Sequence, residues 1–115
     1  MGEGVDCVKE VRTVGADIVV VLAGAVDLHH TPQVHKALVG ACEERPRQLV
    51  VNLTEVSYMD SSGIGTLVEV FRRVNAYKGG LALCGLNERV RSVFEITKLD
   101  KFFKIFATES EAMAE

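Results

Sequence analysis

"SYMDSSGIGTL", residues 57–67, sets two hydroxyls between a carboxylate and a pair of glycines, where an apolar run gives way to an amphipathic one. Just upstream, "QLVVNL" (48–53) has the continuous apolar character of a buried strand. Downstream, Ile64, Leu67, Val68, Phe71 and Val74 recur on one stripe of a helical period. Asp60 stands at the junction as the expected N-cap, its carboxylate accepting the orphan backbone N–H groups two and three residues on and suiting the positive end of the helix dipole. A buried strand running into a capped helix is one half of a β-α-β unit, and the rest of the chain repeats that alternation.

Toward the N-terminus, Cys7 to Val14 alternates loosely, Gly15-Ala16-Asp17 is a turn, and "IVVVLAG" (18–24) is a β-branched run expected to be covered on both faces. These two strands form a predicted hairpin. Thr31-Pro32 offers a cap and a first-turn proline to a helix carrying Val34, Ala37, Leu38 and Ala41, which ends before Pro46. Toward the C-terminus, Gly79-Gly80 stops the second helix and "LALCG" (81–85) is a short strand. Asn87 caps a third helix bearing Val90, Val93, Phe94 and Thr97, "KIFA" (104–107) is a last strand, and Ala112 to Glu115 is read as a frayed end. The expected fold is an α/β domain spanning 1–115. It has a mixed sheet of about five strands, antiparallel in the N-terminal hairpin and otherwise mostly parallel, and three main helices.

A chain of 115 residues, 48% hydrophobic and 25% charged, is the size and composition of one globular domain. Its net charge of −3 and lack of a basic cluster argue against nucleic acid. Cys7, Cys42 and Cys84 are odd in number and far apart, which excludes a disulfide framework and C-x-x-C metal spacing and fits buried thiols in a reducing compartment. Met1 to Glu10 has no signal-type apolar core, and no run approaches the roughly 20 apolar residues of a membrane span. The expected location is therefore cytoplasmic, with no membrane partner.

Advancing about 100° per residue, with Ile64 taken as the centre of the apolar stripe, Ser62 falls near 160° and Ser61 near 60°. On that wheel Ser62 faces water with Thr66, Glu69 and Arg73, while Ser61 leans inward. Gly63 and Gly65 leave bare backbone beside the hydroxyl, letting a large group approach, at roughly 1 kcal/mol each relative to alanine. Four readings of the serines stand open. They are first-turn residues of a capped helix, a hydrolase nucleophile without a G-x-S-x-G elbow, a phosphate cradle that Asp60 would repel, or a phosphorylation site where about −1.5 to −2 charges change a docking surface.

With the strand before it, "MDSSGIGTL" resembles the STAS domain of bacterial anti-sigma-factor antagonists. "LAGAVDLHHTP" is similar to the family's strand, G-E-L-D turn and helix start, and "GGLALCGLNERVRSVFEITKLDKFFKIF" to its glycine pair, strand, third helix and final strand. The resemblance runs from about Val8 to Phe106. It implies a non-enzymatic switch. The unmodified protein binds an anti-sigma factor that is also a serine kinase of the histidine-kinase-like ATPase fold, that kinase phosphorylates Ser62 with ATP and magnesium, and a serine phosphatase reverses the step.

The resemblance further implies that Asp60 orients the hydroxyl or contacts the partner, that Asp27 neighbours the site, and that Ser61, Gly63 and Ile64 shape the docking surface; Thr66, on the outward face of the wheel, and His30, beside Asp27, are expected to border it. It requires no cofactor. Gly24-Ala25-Val26-Asp27 departs from G-E-L-D by alanine in place of glutamate. The alternative within the family is a subunit of a larger assembly, a stressosome-like scaffold or lipid-transport complex, in which Ser62 is never phosphorylated.

His29, His30 and His35 read as polar surface, since adjacent histidines point apart and the i, i+5 spacing suits no single metal. Phe102, Phe103 and Phe106 read as core or core-edge rings, with an exposed patch for a second protein as the alternative, and Arg89 and Arg91 as solvated.

Overall fold

The structure, a computed structural model, describes residues 7–114. Residues 1–6, which make up most of the stretch read above for a signal-type core, and Glu115 lie outside the described residues. The elements are β1 (Val8–Val14), β2 (Asp17–Val26), α1 (Thr31–Glu43), β3 (Gln48–Met59), α2 (Ser61–Ala76), β4 (Gly80–Cys84), α3 (Glu88–Ile96), a 3₁₀ turn (Leu99–Lys101), β5 (Lys104–Phe106) and α4 (Glu109–Met113). The five strands lie side by side in chain order; β1 and β2 pair antiparallel and every later pair is parallel. Both the hairpin and the mixed sheet match the expectation.

Because each crossover steps to the next strand in the same direction, crossovers of one hand put α1, α2 and α3 on one face of the sheet. Their buried faces share a core with alternate strand residues: Val34 and Leu38 of α1, Leu67 and Val70 of α2, and Val90 and Phe94 of α3 join Val20, Leu22, Leu49, Val51 and Leu83. Phe103 fills the end of this core, edge-to-face on Phe71 at 5.5 Å and on Phe94 at 5.6 Å between centroids. Fully burying one such side chain contributes about 1.5–3 kcal/mol.

The opposite sheet face carries Val19, Val21, Val50, Ala82 and Cys84 beneath α4. Burial of "IVVVL" on both faces is thus as expected, but the covering element is not a frayed end. Ala112 is fully buried, Gln48 Nε2 donates to the Ala112 carbonyl, and Glu109 accepts from Arg12 and from Asn52. Five helical residues hold too little periodicity to be legible alone, and α4 is fastened by side chains remote in sequence.

Other expectations shift in detail. β3 continues past Leu53 to Met59, so the sheet reaches the motif itself. The segment read as a turn around Gly24 is the end of β2, interrupted by register shifts, with Gly24 at φ 76°, a conformation glycine adopts freely. The cap position of α1 falls on His30 rather than Thr31, because the His30 and Thr31 amides already turn back to the Asp27 carbonyl. Asn87 caps α3 as expected, accepting from the Val90 amide at 2.8 Å while its Nδ2 donates to Val56. Cys7, Cys42 and Cys84 are all buried. Of the phenylalanines, Phe103 is core and Phe106 packs half-buried on the α4 side, whereas Phe102 is 64% exposed and corrects the core reading.

Candidate functional site: the β3–α2 junction

The parallel strands β2 and β3 end together, and the loop from Asp27 to His30 lies against the start of α2. Asp60 joins them. Its Oδ1 accepts from the Ser62 amide at 2.9 Å, from the Ser62 hydroxyl at 2.5 Å and from the Gly63 amide at 3.4 Å, while Oδ2 accepts from the Leu28 amide at 3.2 Å. Its own amide donates to the Val26 carbonyl. Asp60 is thus both the cap of α2 and the tie to the β2–α1 loop. The Ser62 hydroxyl bond, followed by the amides of Ser62, Gly63 and Leu28, holds its carboxyl below the ordinary 3.8 against a smaller opposing effect of desolvation.

That direction fixes a pH dependence. A depressed carboxylate contributes stability that is present above its unfolded value near 3.8 and is lost as pH falls through the lower folded value. Replacing Asp60 by alanine is expected to remove about 0.5–2 kcal/mol at neutral pH. The difference from the unmodified protein, read by urea unfolding at pH 7 and again near pH 3, shrinks at the acid end. A difference that grows on acidification contradicts this assignment.

Asp27 makes a second anionic point in the loop. Its Oδ1 accepts from the His30 amide at 3.1 Å and lies 2.8 Å from His30 Nδ1. Partial desolvation pushes its carboxyl up, but the His30 side chain and the His30 and His29 amides outweigh it and leave a net lowering. Asp60 thus bonds both Ser62 and the loop that holds the Asp27–His30 pair. His35 is elsewhere, 2.9 Å from Glu69 on α2.

The helical-wheel expectation needs correction. Ser61 is exposed and Ser62 half-buried, the reverse of their predicted order, and Thr66 is only 8% exposed, its hydroxyl donating to the Ser62 carbonyl. The face α2 buries comprises Gly63, Ile64, Thr66, Leu67, Val70 and Val74. At about 100° per residue its centre lies roughly 90° from Ile64, which sits at its edge. Gly63 belongs to that centre. A Cβ there would stand 2.7 Å from Met59 Cγ and 3.0 Å from Val26 Cγ1, so the glycine serves close packing against the strand ends and does not open the backbone to a partner. Gly65 is exposed, and a Cβ added to it would meet nothing within 4 Å. Glu69 and Arg73, expected in open solvent, are engaged: Glu69 meets His35 across the helix pair and accepts from Arg73 at 2.9 Å.

Of the predicted docking residues, Gly63, Ile64 and Thr66 are therefore buried supports, and Ser61, Ser62, Asp60, Asp27 and His30 line the surface. Two neighbours escaped the sequence reading. Leu28 is 74% exposed, and Tyr58 is 41% exposed with the Arg89 guanidinium 5.7 Å above its ring. Leu28, apolar yet outside every periodic stripe, carried a signal; Tyr58 could be placed only by period two from buried Met59.

Comparison with known proteins agrees with this architecture. The STAS domain profile matches residues 8–112. An anti-sigma-B factor antagonist of Listeria monocytogenes is 38% identical over 104 residues, 90% of each chain. Two solved structures of the anti-sigma factor antagonist SpoIIAA also superpose on the chain. The unphosphorylated form has 28% identity and a TM-score of 0.79, covering 90% of this chain and 91% of the other. The phosphorylated Bacillus form has 27% identity and a TM-score of 0.72, covering 91% and 96%. With its strand order, its D-S-S-G junction and a profile match over nearly its whole length, the chain belongs to the STAS domain family.

Proposed function

We propose that this protein is an anti-sigma factor antagonist which, unmodified, binds an anti-sigma factor that is also a serine kinase, and which phosphorylation of Ser62 switches off. The observation that carries the reading is the Ser62 hydroxyl, half-exposed at the first turn of α2 and donating to Asp60 at 2.5 Å. That bond turns the oxygen's lone pairs away from the carboxylate, toward an incoming phosphoryl group, and supplies an acceptor for the departing proton. Ser61 is more exposed, yet no side-chain hydrogen bond orients it among the described residues. Orientation favours Ser62, and the likeness to a protein solved in phosphorylated and unphosphorylated forms supports phosphorylation of this chain.

The kinase is expected to have the histidine-kinase-like ATPase fold and to work in the cytoplasm with ATP and magnesium, a serine phosphatase restoring the hydroxyl. The antagonist itself is substrate and ligand, without catalysis or cofactor of its own. Asp27, Asp60, Ser61 and His30 supply polar contacts, and exposed Leu28 and Tyr58 supply the apolar anchors such an interface needs at its centre. Ala25 leaves the place of the family's glutamate without a carboxylate, so any partner contact there is apolar or absent.

Intact mass spectrometry after incubation with ATP, magnesium and the candidate kinase is expected to show one added phosphate, which fragmentation maps to Ser62. Modification at Ser61, or none with a kinase that binds the protein, contradicts the proposal and favours a scaffold subunit.

A further inference from the structure

On α2 beyond the Ser62 junction, the flank turned away from α1 forms a second surface of opposite character. A cavity of about 250 Å³ lies between α2 and the 3₁₀ turn, lined by Val68, Phe71, Arg72, Leu99, Phe102 and Phe103. Its outer wall is Phe102, 64% exposed, and Ile96 at the end of α3 is 79% exposed. Phe102 and Ile96 are two of the most exposed large apolar side chains among the described residues, and Phe102 walls a concave slot that an inserted side chain could fill. Val68 to Arg72 follow Ser62 by about 9–15 Å along the helix axis, on a different face. The two surfaces can therefore be occupied separately.

The charge around the slot is distinctive. Residues 96–104, "ITKLDKFFK", carry three lysines and one aspartate in a chain whose net charge is −3. Arg72, Lys98 and Lys101 make no side-chain ion pair among the described residues, although Glu95 and Asp100 are close in sequence. The Ser62 junction, by contrast, presents the carboxylates of Asp27 and Asp60. An apolar slot lined by Arg72, with Lys98 and Lys101 flanking its lining residues Leu99 and Phe102 in sequence, is complementary to a helix with apolar side chains on one stripe and carboxylates beside it. A second copy of this chain fits poorly, because an isologous contact would set Lys98, Lys101 and Arg72 against their own counterparts. A lipid surface fits less well too, because a concave slot suits an inserted side chain.

We infer that the slot between α2 and the Leu99–Phe103 segment docks an acidic amphipathic helix of a second protein partner, independently of the state of Ser62. Both partners can then be held at once, and the second contact persists after phosphorylation has released the first.

The probe is a synthetic peptide of about 18 residues, leucines at i, i+3, i+4 and i+7 and glutamates on the flanks, with a lysine-for-glutamate version as control. Titrated into the isotope-labelled full chain, the acidic peptide is expected to shift amides confined to 68–72 and 96–103, and the lysine version to shift none of them. Phe102→Ser and the Lys98→Glu/Lys101→Glu pair alter exposed side chains and leave the fold intact by circular dichroism; each weakens the acidic peptide by roughly tenfold or more. Ser62→Asp binds the peptide as the unmodified protein does. Equal binding of both peptides, shifts mapping elsewhere or no shifts at all overturn the inference. So does Phe102-dependent self-association, or co-sedimentation with phosphatidylserine vesicles, in place of peptide binding. None of these outcomes bears on kinase binding at Ser62, so the two proposals fail separately.

Discussion

Ser62→Asp is expected to bind the anti-sigma factor kinase about 100-fold more weakly than the unmodified protein, roughly 2.7 kcal/mol, whereas Ser62→Ala binds within a few-fold of it. The reason is local electrostatics. The Ser62 oxygen lies 2.5 Å from Asp60, and Asp27 lies in the loop that Asp60 ties down, so the junction already carries two carboxylates. A further negative group cannot donate the hydrogen bond that the hydroxyl now gives, and it adds like charge to the proposed docking surface. Like-charge juxtaposition across an interface amounts to several kcal/mol.

The fold itself tolerates the change, because the amides and dipole at the start of α2 favour an anion there by about 0.3–1 kcal/mol. Binding and stability should therefore separate, the first falling steeply while thermal unfolding moves by only a few degrees. A phosphate, with about −1.5 to −2 charges, is expected to act more strongly than aspartate. Isothermal titration with the kinase reads the effect. Equal affinity for Ser62→Asp and Ser62→Ala would remove the switch, whatever the mass spectrum says.

Gly63→Ala is expected to destabilise the protein by about 1–3 kcal/mol, while Gly65→Ala two positions on stabilises it by about 0.5–1 kcal/mol. Both substitutions gain helix propensity, so packing decides the sign. At Gly63 the new methyl meets Met59 Cγ at 2.7 Å, Val26 Cγ1 at 3.0 Å and the Val26 carbonyl at 3.1 Å, in a place where Met59 and Val26 are each 1% exposed. Met59 has little room to move and the strand backbone less, so α2 must lift from the sheet. At Gly65 the methyl points into solvent. Chemical denaturation of both variants gives the comparison directly, and a Gly63→Ala protein as stable as Gly65→Ala would mean that the close approach of α2 to β2 and β3 is wrong. Because Ser62 precedes Gly63, the Gly63 variant should also loosen the Asp60–Ser62 bond and slow phosphorylation.

These two positions also mark the boundary of what pattern can reveal. The strand, cap and helix around Asp60 are legible because each is a local preference: a run of apolar residues, a carboxylate two residues before an orphan amide, a period of 3.6. Asn87 and the N-terminal hairpin are legible for the same reason. The orientation of α2 is not. A wheel takes Ile64 as its centre because glycine has no side chain to count, yet Gly63 lies at the heart of the buried face, where Val26 and Met59 come closest. Phe102 and Phe103 are alike in sequence, and only the positions of Phe71 and Phe94 decide that the second is core and the first exposed.

The amino-acid sequence alone determined the order of the five strands and three main helices, the capped junction that presents hydroxyls at a helix start, and the acidic balance of the chain, since these depend on neighbours within a few residues. Tertiary structure decided which serine stands open, which is held against Asp60, and that Glu109–Met113 is a docked helix rather than a frayed end. Those outcomes depend on contacts between segments far apart in the chain. Burial is a property of what lies opposite a residue, and no local pattern records that.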